Sequence, residues 1–336
     1  MQRRWVIIAS ERMQRPKDFI VQREKKKSSE GCPFCPGHED MTPPEIIAIR
    51  NDHSEPDTPG WRVRVTQNKF PALKLTDNPA WKPNDEFYES TPGLGTHEVI
   101  IEGTQHNNCL ADSHPDFIFE ILCMYRSRLV TLMNDNRLKY ALIFKNHGST
   151  AGASLAHPHS QIIAMPIVPR TVEIELLASE RHYDQQRTCL ICDMIKNERK
   201  SGSRVIFLDE AMIAFNSYAA RFPFEMFVAP LDHHHDFSHA SDYQLRHLAE
   251  CLGDVLSRLK YALDDPPFNY ILHTSPNLNF DESYRDGSDR LDLYYHWHLE
   301  IIPRLTRTAG FEWGSGLHIN PMPPERAAEF LRSVEL

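Results

Sequence analysis

Apolar residues from Pro115 to Asn134 recur at three- and four-residue spacing, as do those from Asp242 to Leu263, and both stretches predict amphipathic helices. The closing segment "PPERAAEFLRSVEL" opens on prolines, which suit a first helical turn, and predicts a third. Shorter β-rich runs, Arg62–Val65, Glu98–Ile101 and Tyr140–Phe144, predict strands. In "HPHSQIIAMP" the polar residues His157, His159 and Gln161 stand at period two before Ile162, Ile163 and Ala164. A strand there points all three to one face. Strands and helices mix without regular βαβ alternation, so the predicted class is α+β. Residues 22–31, "QREKKKSSEG", and residues 281–292 read as solvated loops rather than nucleic-acid patches.

The same pattern occurs twice. "CPFC" (Cys32–Cys35) and "CLIC" (Cys189–Cys192) are matching knuckles. Glu98 precedes His106 by eight residues and Glu225 precedes His233 by eight, with an apolar run between them, Val99–Ile101 and Met226–Ala229. "KYALIFKNHG" leads to "HPHSQII", and "FNYILHTSPN" leads to "HWHLEII". His157, His159 and Gln161 therefore correspond to His296, His298 and Glu300. Four elements in one order, repeated at a period above 100 residues, mark an internal duplication rather than a solenoid. The predicted halves are residues 1–175 and 176–336.

Length and charge narrow the function. A chain of 336 residues favours about two domains. A net charge of −9 argues against a general nucleic-acid binder, though not against a small anionic ligand held locally. The N-terminal run Trp5–Ala9 is too short for a signal-peptide core, and no stretch approaches the roughly 18 apolar residues of a membrane helix. We read the protein as cytoplasmic, with no membrane partner. Seven cysteines, four of them in two CxxC pairs, point to metal or redox chemistry rather than a disulfide framework.

Zinc takes four soft or borderline ligands in a tetrahedron, and a CxxC turn supplies two thiolates. The first predicted set is Cys32, Cys35, His106 and His157; the second is Cys189, Cys192, His233 and His296. In the crowded "DHHHDF", His234 or His235 is an alternative to His233, and the second site is open to iron or to loss. A closed Cys2His2 shell implies a structural ion. His157 as a ligand leaves His159 free on the same face. "GSTAGAS" upstream is small and flexible, so its backbone N–H groups can line an anion pocket. Ser154 and Asn146 add donors, and Gln161 can donate its amide to a non-bridging oxygen. A neutral imidazole beside such a loop is suited to attack phosphorus and form a covalent phosphoramidate.

"HPHSQ" with its upstream Asn, the two knuckles and the duplicated body resemble galactose-1-phosphate uridylyltransferases of the histidine-triad superfamily. The resemblance runs nearly end to end, from "WVIIASERMQRPKDF" through "CPFCPGHEDMTPPE", "NKFPAL" and "GTHEVIIE" to "GFEWGSGLHINPMPPE". It implies a duplicated histidine-triad-like fold, two mixed or antiparallel sheets with flanking helices, and a homodimer. It further implies that His159 is the nucleophile and Gln161 stabilises the nucleotidyl-enzyme. Asn68 and Phe70 would hold base and ribose, Asn146, Gly152 and Ser154 the phosphates, Arg12 and Arg15 the second phosphate, and Glu312 the hexose hydroxyls. The substrates implied are a nucleoside diphosphate sugar and a sugar 1-phosphate. Two features depart from the main pattern: Ser160 stands where glycine is typical, and "GFEWGSGLHINP" looks more like a branch that includes ADP-glucose phosphorylases. UDP-glucose–hexose-1-phosphate uridylyl transfer is the first expectation. The alternatives are an ADP-glucose phosphorylase or adenylyltransferase, and a catalytically dead zinc-bearing nucleotide-binding protein. His298 is assigned no catalytic role.

Overall fold

Period-two stretches become strands, and the amphipathic stretches become the helices that cover one side of them. In this computed structural model, which describes residues 5–12, 19–20, 28–51, 53–75, 82–83, 87–90, 92–277 and 290–336, the strands run as follows. They are β1 (Val6–Ile8), β2 (Glu45–Arg50), β3 (Trp61–Gln67), β4 (Lys82–Pro83), β5 (Glu89–Ser90), β6 (Thr96–Glu102), β7 (Tyr140–His147) and β8 (His159–Met165) in the first half. In the second they are β9 (Val205–Leu208), β10 (Met212–Asn216), β11 (Met226–Pro230), β12 (Phe268–His273), β13 (His298–Pro303) and β14 (His318–Asn320). The helices are α1 (Pro115–Met133), α2 (Arg170–Gln186), α3 (Leu190–Ser201), α4 (Asp242–Leu263), α5 (Leu291–Tyr294), α6 (Gly310–Ser315) and α7 (Pro324–Arg332).

Ten strands form one sheet in the order β2-β3-β6-β8-β7-β12-β13-β11-β10-β9, antiparallel throughout. The order reads the same from either edge inward, as a duplication requires. The two sheets expected from the resemblance are thus joined edge to edge by β7 and β12, in the register Asn146↔Asn269 and Phe144↔Ile271. Parallel pairing of β1 with β14 ties the N-terminal segment to the C-terminal one, with Val6 opposite His318.

The two long helices begin and end where the sequence predicts. Pro115 opens α1, and the His114 side chain accepts from the Asp116 N–H. At α4 Ser241 and Gln244 form a reciprocal capping box, which satisfies two otherwise unpaired donors. Both helices lie on the same side of the sheet. Their apolar faces, including Ile118, Leu129, Leu248 and Leu252, share one buried core with Ile162 and Ala164 of β8 and with Leu299 and Ile301 of β13. Strand alternation sends the residues of the other parity, His159 and Gln161, to the opposite face, away from α1 and α4.

Two local expectations change. His157 lies in the bend just before β8, so the period-two set is split: His159 and Gln161 share the strand face, while His157 approaches from the strand's entry. Helices α2 and α3 were not predicted. Only a few of their side chains, among them Val172, Glu175, Ile191 and Ile195, are buried. Of the expected loops, residues 21–27 and 281–289 lie outside the described residues.

Leu252, in the middle of α4, is fully buried in the shared core. Leu252→Ala is expected to lower unfolding free energy by about 2–5 kcal/mol, since the cavity it leaves is walled by both halves. Denaturant titration by circular dichroism measures this; a change below about 1 kcal/mol contradicts that packing.

Candidate active site and metal groups

The knuckle "CPFC" turns Cys32 and Cys35 toward the end of β6 and the start of β8. Cys35 Sγ lies 3.4 Å from His106 Nδ1 and 3.5 Å from His157 Nδ1. One ligand atom from each of Cys32, Cys35, His106 and His157 falls within 4.8 Å of all the others. The His157 Nε2–H donates to the Gly103 carbonyl at 2.8 Å, so its Nδ1 lone pair faces the thiols. Two thiols and two imidazole lone pairs converging in this way fit a tetrahedral metal ion with no open position.

The second half repeats the arrangement. Cys192 Sγ is 3.4 Å from His233 Nδ1 and 3.5 Å from His296 Nδ1, and Cys189 completes the group. The His296 Nε2–H donates to the Pro230 carbonyl at 3.1 Å and the His233 Nε2–H to the Asp292 carbonyl at 2.7 Å. His233, rather than His234 or His235, is the member of this group. Cys189 and Cys192 enter on the unpredicted helix α3, Cys189 as its N-cap.

From His157 the chain passes directly to His159. The His159 Nδ1–H donates to the His157 carbonyl at 2.8 Å, which leaves Nε2 as the bare nitrogen. The ring is buried, with the edge of Phe34 from the knuckle packed against it at a centroid distance of 5.2 Å. Burial, with nearby Lys145 adding to the effect, pushes the His159 imidazole below its ordinary range, so it is neutral at pH 7. Beneath the strand, Lys145 bonds the His159 carbonyl at 3.2 Å and pairs with buried Glu102, which also accepts from the Tyr125 hydroxyl at 2.8 Å. A neutral imidazole with a fixed tautomer and a buried scaffold can attack an electrophilic phosphorus.

Amide donors surround it. Gln161, two residues along the strand, is half-buried, and its Oε1 meets His97 Nε2 at 2.7 Å and Asn68 Nδ2 at 3.4 Å. Asn146 on β7 accepts at Oδ1 from Asn269 Nδ2 at 2.8 Å. The glycine-rich turn differs from expectation. The backbone N–H groups of Ala151, Gly152 and Ala153 are turned inward to the carbonyls of Gly148 and Ser149, so side chains rather than these N–H groups face the opening. Gly152 is left-handed at φ 96°, and a Cβ there would come within 3.6 Å of Asn146 Nδ2 and cover that donor.

The description "Galactose-1-phosphate uridyl transferase, N-terminal domain" matches residues 1–169. The chain is 36% identical to an ADP-glucose phosphorylase of Arabidopsis thaliana over 99% of its own length and 91% of that protein's. The chain belongs to the galactose-1-phosphate uridyl transferase family. It is 28% identical to a galactose-1-phosphate uridylyltransferase of Thermotoga maritima, over 99% of this chain and 96% of the other. A crystal structure of an ADP-glucose phosphorylase from Arabidopsis thaliana with bound ADP-glucose superposes with a TM-score of 0.78 at 34% identity, covering 94% of this chain and 92% of that one. This member of the family is a transferase with an α+β fold.

Not every residue implied by the resemblance meets the others. Arg15 lies outside the described residues. Arg12 ends the short turn after β1, where the Ala9 N–H bonds the Asn320 carbonyl. Glu312 sits on α6, its carboxylate accepting from the Ala309 N–H at 2.9 Å, beside β14. That ledge is anchored on the second half by the Asn320 amide, which donates to the Ala220 carbonyl at 3.0 Å. Among the described contacts none joins Arg12 or Glu312 to His159 or Gln161. The Phe70 ring is 83% exposed, and Ser154 is exposed as well.

Sequence reasoning missed three participants. His97 and Asn269 stand inside quoted motifs, "GTHEVIIE" and "FNYILH", but nothing in a one-dimensional pattern ties them to Gln161 and Asn146. The third is a buried group, Glu175, His273 and His298, whose ligand atoms also fall within 4.8 Å and could hold a metal ion. His298 lies stacked there between His273 and Phe227, each at 4.6 Å, and is fully buried.

Cys32→Ser and Cys189→Ser are each expected to remove one equivalent of bound metal and to lower Tm by about 5 °C or more, because metal binding in such groups is coupled to folding. Elemental analysis and thermal melts read both; unchanged metal content in both variants contradicts the ligand sets.

Proposed function

We propose that the protein is a UDP-glucose–hexose-1-phosphate uridylyltransferase working by double displacement through His159. Its Nε2 lone pair attacks the α-phosphorus of UDP-glucose; the P–N bond forms as the P–O bond to glucose 1-phosphate breaks. The proton stays on Nδ1, donated to the His157 carbonyl, which stabilises the positive charge of the ring. A phosphate oxygen of galactose 1-phosphate then attacks the same phosphorus and frees His159. Entering and leaving groups are phosphate oxygens that need no strong general acid, so positioning and donors toward the non-bridging oxygens supply the catalysis. Gln161, Asn146 and Ser154 are the proposed donors, and Asn68 and Phe70 the base and ribose contacts. The observation that carries this reading is the His159 Nδ1–H bond to the carbonyl of His157, a member of the first Cys–His cluster, which leaves Nε2 bare on the face away from α1 and α4.

The metal in both Cys2His2 groups is proposed to be zinc in a structural role, with iron the alternative occupant of the second. The working form is proposed to be a cytoplasmic homodimer. Arg12 and Glu312 share a ledge on the second half, so a second copy presenting that ledge would complete the hexose phosphate site. The two repeats, residues 1–175 and 176–336, would act as a catalytic half and a supporting half. Among the described residues no helix is long and apolar enough to cross a membrane.

A second reading is favoured by one specific observation. Identity to the Arabidopsis ADP-glucose phosphorylase, 36%, exceeds the 28% to the Thermotoga uridylyltransferase at equal coverage of this chain. Ser160 and "GFEWGSGLHINP" point the same way. On that reading the donor is ADP-glucose, the adduct is adenylyl, and inorganic phosphate discharges it.

Intact-mass spectrometry after incubation with UDP-glucose or with ADP-glucose separates the two. A uridylyl adduct removed by galactose 1-phosphate supports the first reading, and an adenylyl adduct removed by phosphate the second. His159→Ala is expected to stay folded and metal-loaded, form no adduct and lose on the order of 10⁴-fold or more in turnover. Turnover of that variant near the unmodified rate eliminates the covalent-histidine mechanism.

A further inference from the structure

We infer that His97 and Asn269 are positioning residues that dictate which end of the Gln161 and Asn146 amides faces the reacting phosphates. The inference rests on the nucleotidyl-transfer reading above. A carboxamide has one end that donates and one that accepts, and the two are nearly equal in shape. As a donor to an anion it works only if something forbids its reversal. Here each amide is fixed by a relay that begins at a backbone group whose own role cannot change.

The first relay starts at Ala72. Its N–H donates to His97 Nδ1 at 3.1 Å, so Nδ1 holds the lone pair and the ring proton sits on Nε2. That Nε2–H lies 2.7 Å from Gln161 and donates to it. Asn68 stands beside both. The Phe70 N–H donates to Asn68 Oδ1 at 2.9 Å, which turns the Asn68 NH2 into the same corner, 3.1 Å from His97 Nε2 and 3.4 Å from the same Gln161 atom. The Gln161 atom that receives the His97 Nε2–H is an oxygen. The Gln161 NH2 is therefore left for the non-bridging oxygens of the nucleotide.

The second relay starts at Ala151. Its carbonyl can only accept, and Asn269 lies 2.8 Å from it, so the contacting atom of Asn269 is its NH2. The same nitrogen lies 2.8 Å from Asn146 Oδ1. Both protons of the Asn269 amide are thereby used, and the Asn146 NH2 points away from it, toward Gly152. Asn269 stands directly opposite Asn146 across the β7–β12 pair, so the supporting half sets the polarity of a donor in the catalytic half.

Reversal of either amide would face donor against donor on one side and oxygen against phosphate on the other. An unlocked donor should keep part of its effect, whereas a missing one costs about 10²- to 10³-fold. His97→Leu and Asn269→Leu are accordingly expected to slow histidyl-nucleotide formation by roughly 10- to 100-fold, with apparent substrate affinity changed by less than about threefold. His97→Gln, whose terminal amide can donate from the place of Nε2, should recover most of the rate. In a Gln161→Ala background His97→Leu should have almost no further effect, and Asn269→Leu almost none in an Asn146→Ala background. Rapid-quench mass spectrometry with UDP-glucose and with ADP-glucose supplies these rates, and thermal melts check folding. Equal rates in folded His97→Leu, or the same loss with and without Gln161, overturn the inference. A readout free of substrate is the imidazole ¹⁵N spectrum of the full-length protein, expected to show His97 protonated at Nε2 and bare at Nδ1. A proton on Nδ1 overturns the relay. Absence of an adduct in the unmodified protein would instead count against the functional reading, and the nitrogen spectrum would still decide the relay.

Discussion

The bond from the His159 Nδ1–H to the carbonyl of His157 spans two residues, yet the site hangs on it. It joins a member of the first metal group to the proposed nucleophile through one stretch of backbone. It also fixes the tautomer, which decides the nitrogen that can react. Lys145 holds the His159 carbonyl from below and is itself paired with Glu102, which also accepts from the Tyr125 hydroxyl, bonded in turn to that of Tyr270. A charge pair buried this fully adds rigidity more surely than it adds stability, since taking both charges out of water offsets much of their attraction.

The second half carries the same bond in different surroundings. His298 Nδ1–H donates to the His296 carbonyl at 3.0 Å, and His296 belongs to the second metal group in the same way. What differs is access. His159 keeps a small exposed area, while His298 is sealed between the rings of His273 and Phe227 with Glu175 close by. Glu300 replaces the amide of Gln161 and is held by Arg221 at 2.7 Å. A carboxylate there would repel the phosphates that an amide attracts. Identical backbone scaffolding thus supports opposite chemical characters.

Both metal groups were legible because Cys and His are rare enough for their repeated order to stand out, and the eight residues do converge in two sets. The long helices were legible because their apolar spacing is regular and their caps are explicit. Helices α2 and α3 were missed because each buries only a narrow stripe, and the stripe of α3 is short and begins inside the CxxC knuckle. His97 and Asn269 were hidden for another reason: hydrogen-bond polarity is set by three-dimensional neighbours, and a lone His or Asn in an apolar strand reads as ordinary. Arg12 and Glu312 could be named from motif resemblance, yet their place on a separate ledge was invisible until β1 was seen paired with β14.

The seam between β7 and β12 gives the duplication a consequence for how the chain can be divided. With β12 gone, β7 would present a free sheet edge in which Ile143–His147 lack their partners, a template for pairing with any neighbouring chain. A fragment carrying the proposed nucleophile and the first Cys–His cluster would therefore be prone to stick to copies of itself. Sliding the seam by one residue would be as damaging, because side chains alternate across a strand and Asn269 would then face the helices. Joining the two halves in one sheet does more than link them. It turns what would be an exposed edge into an interior one and leaves the second half answerable for the alignment of the first.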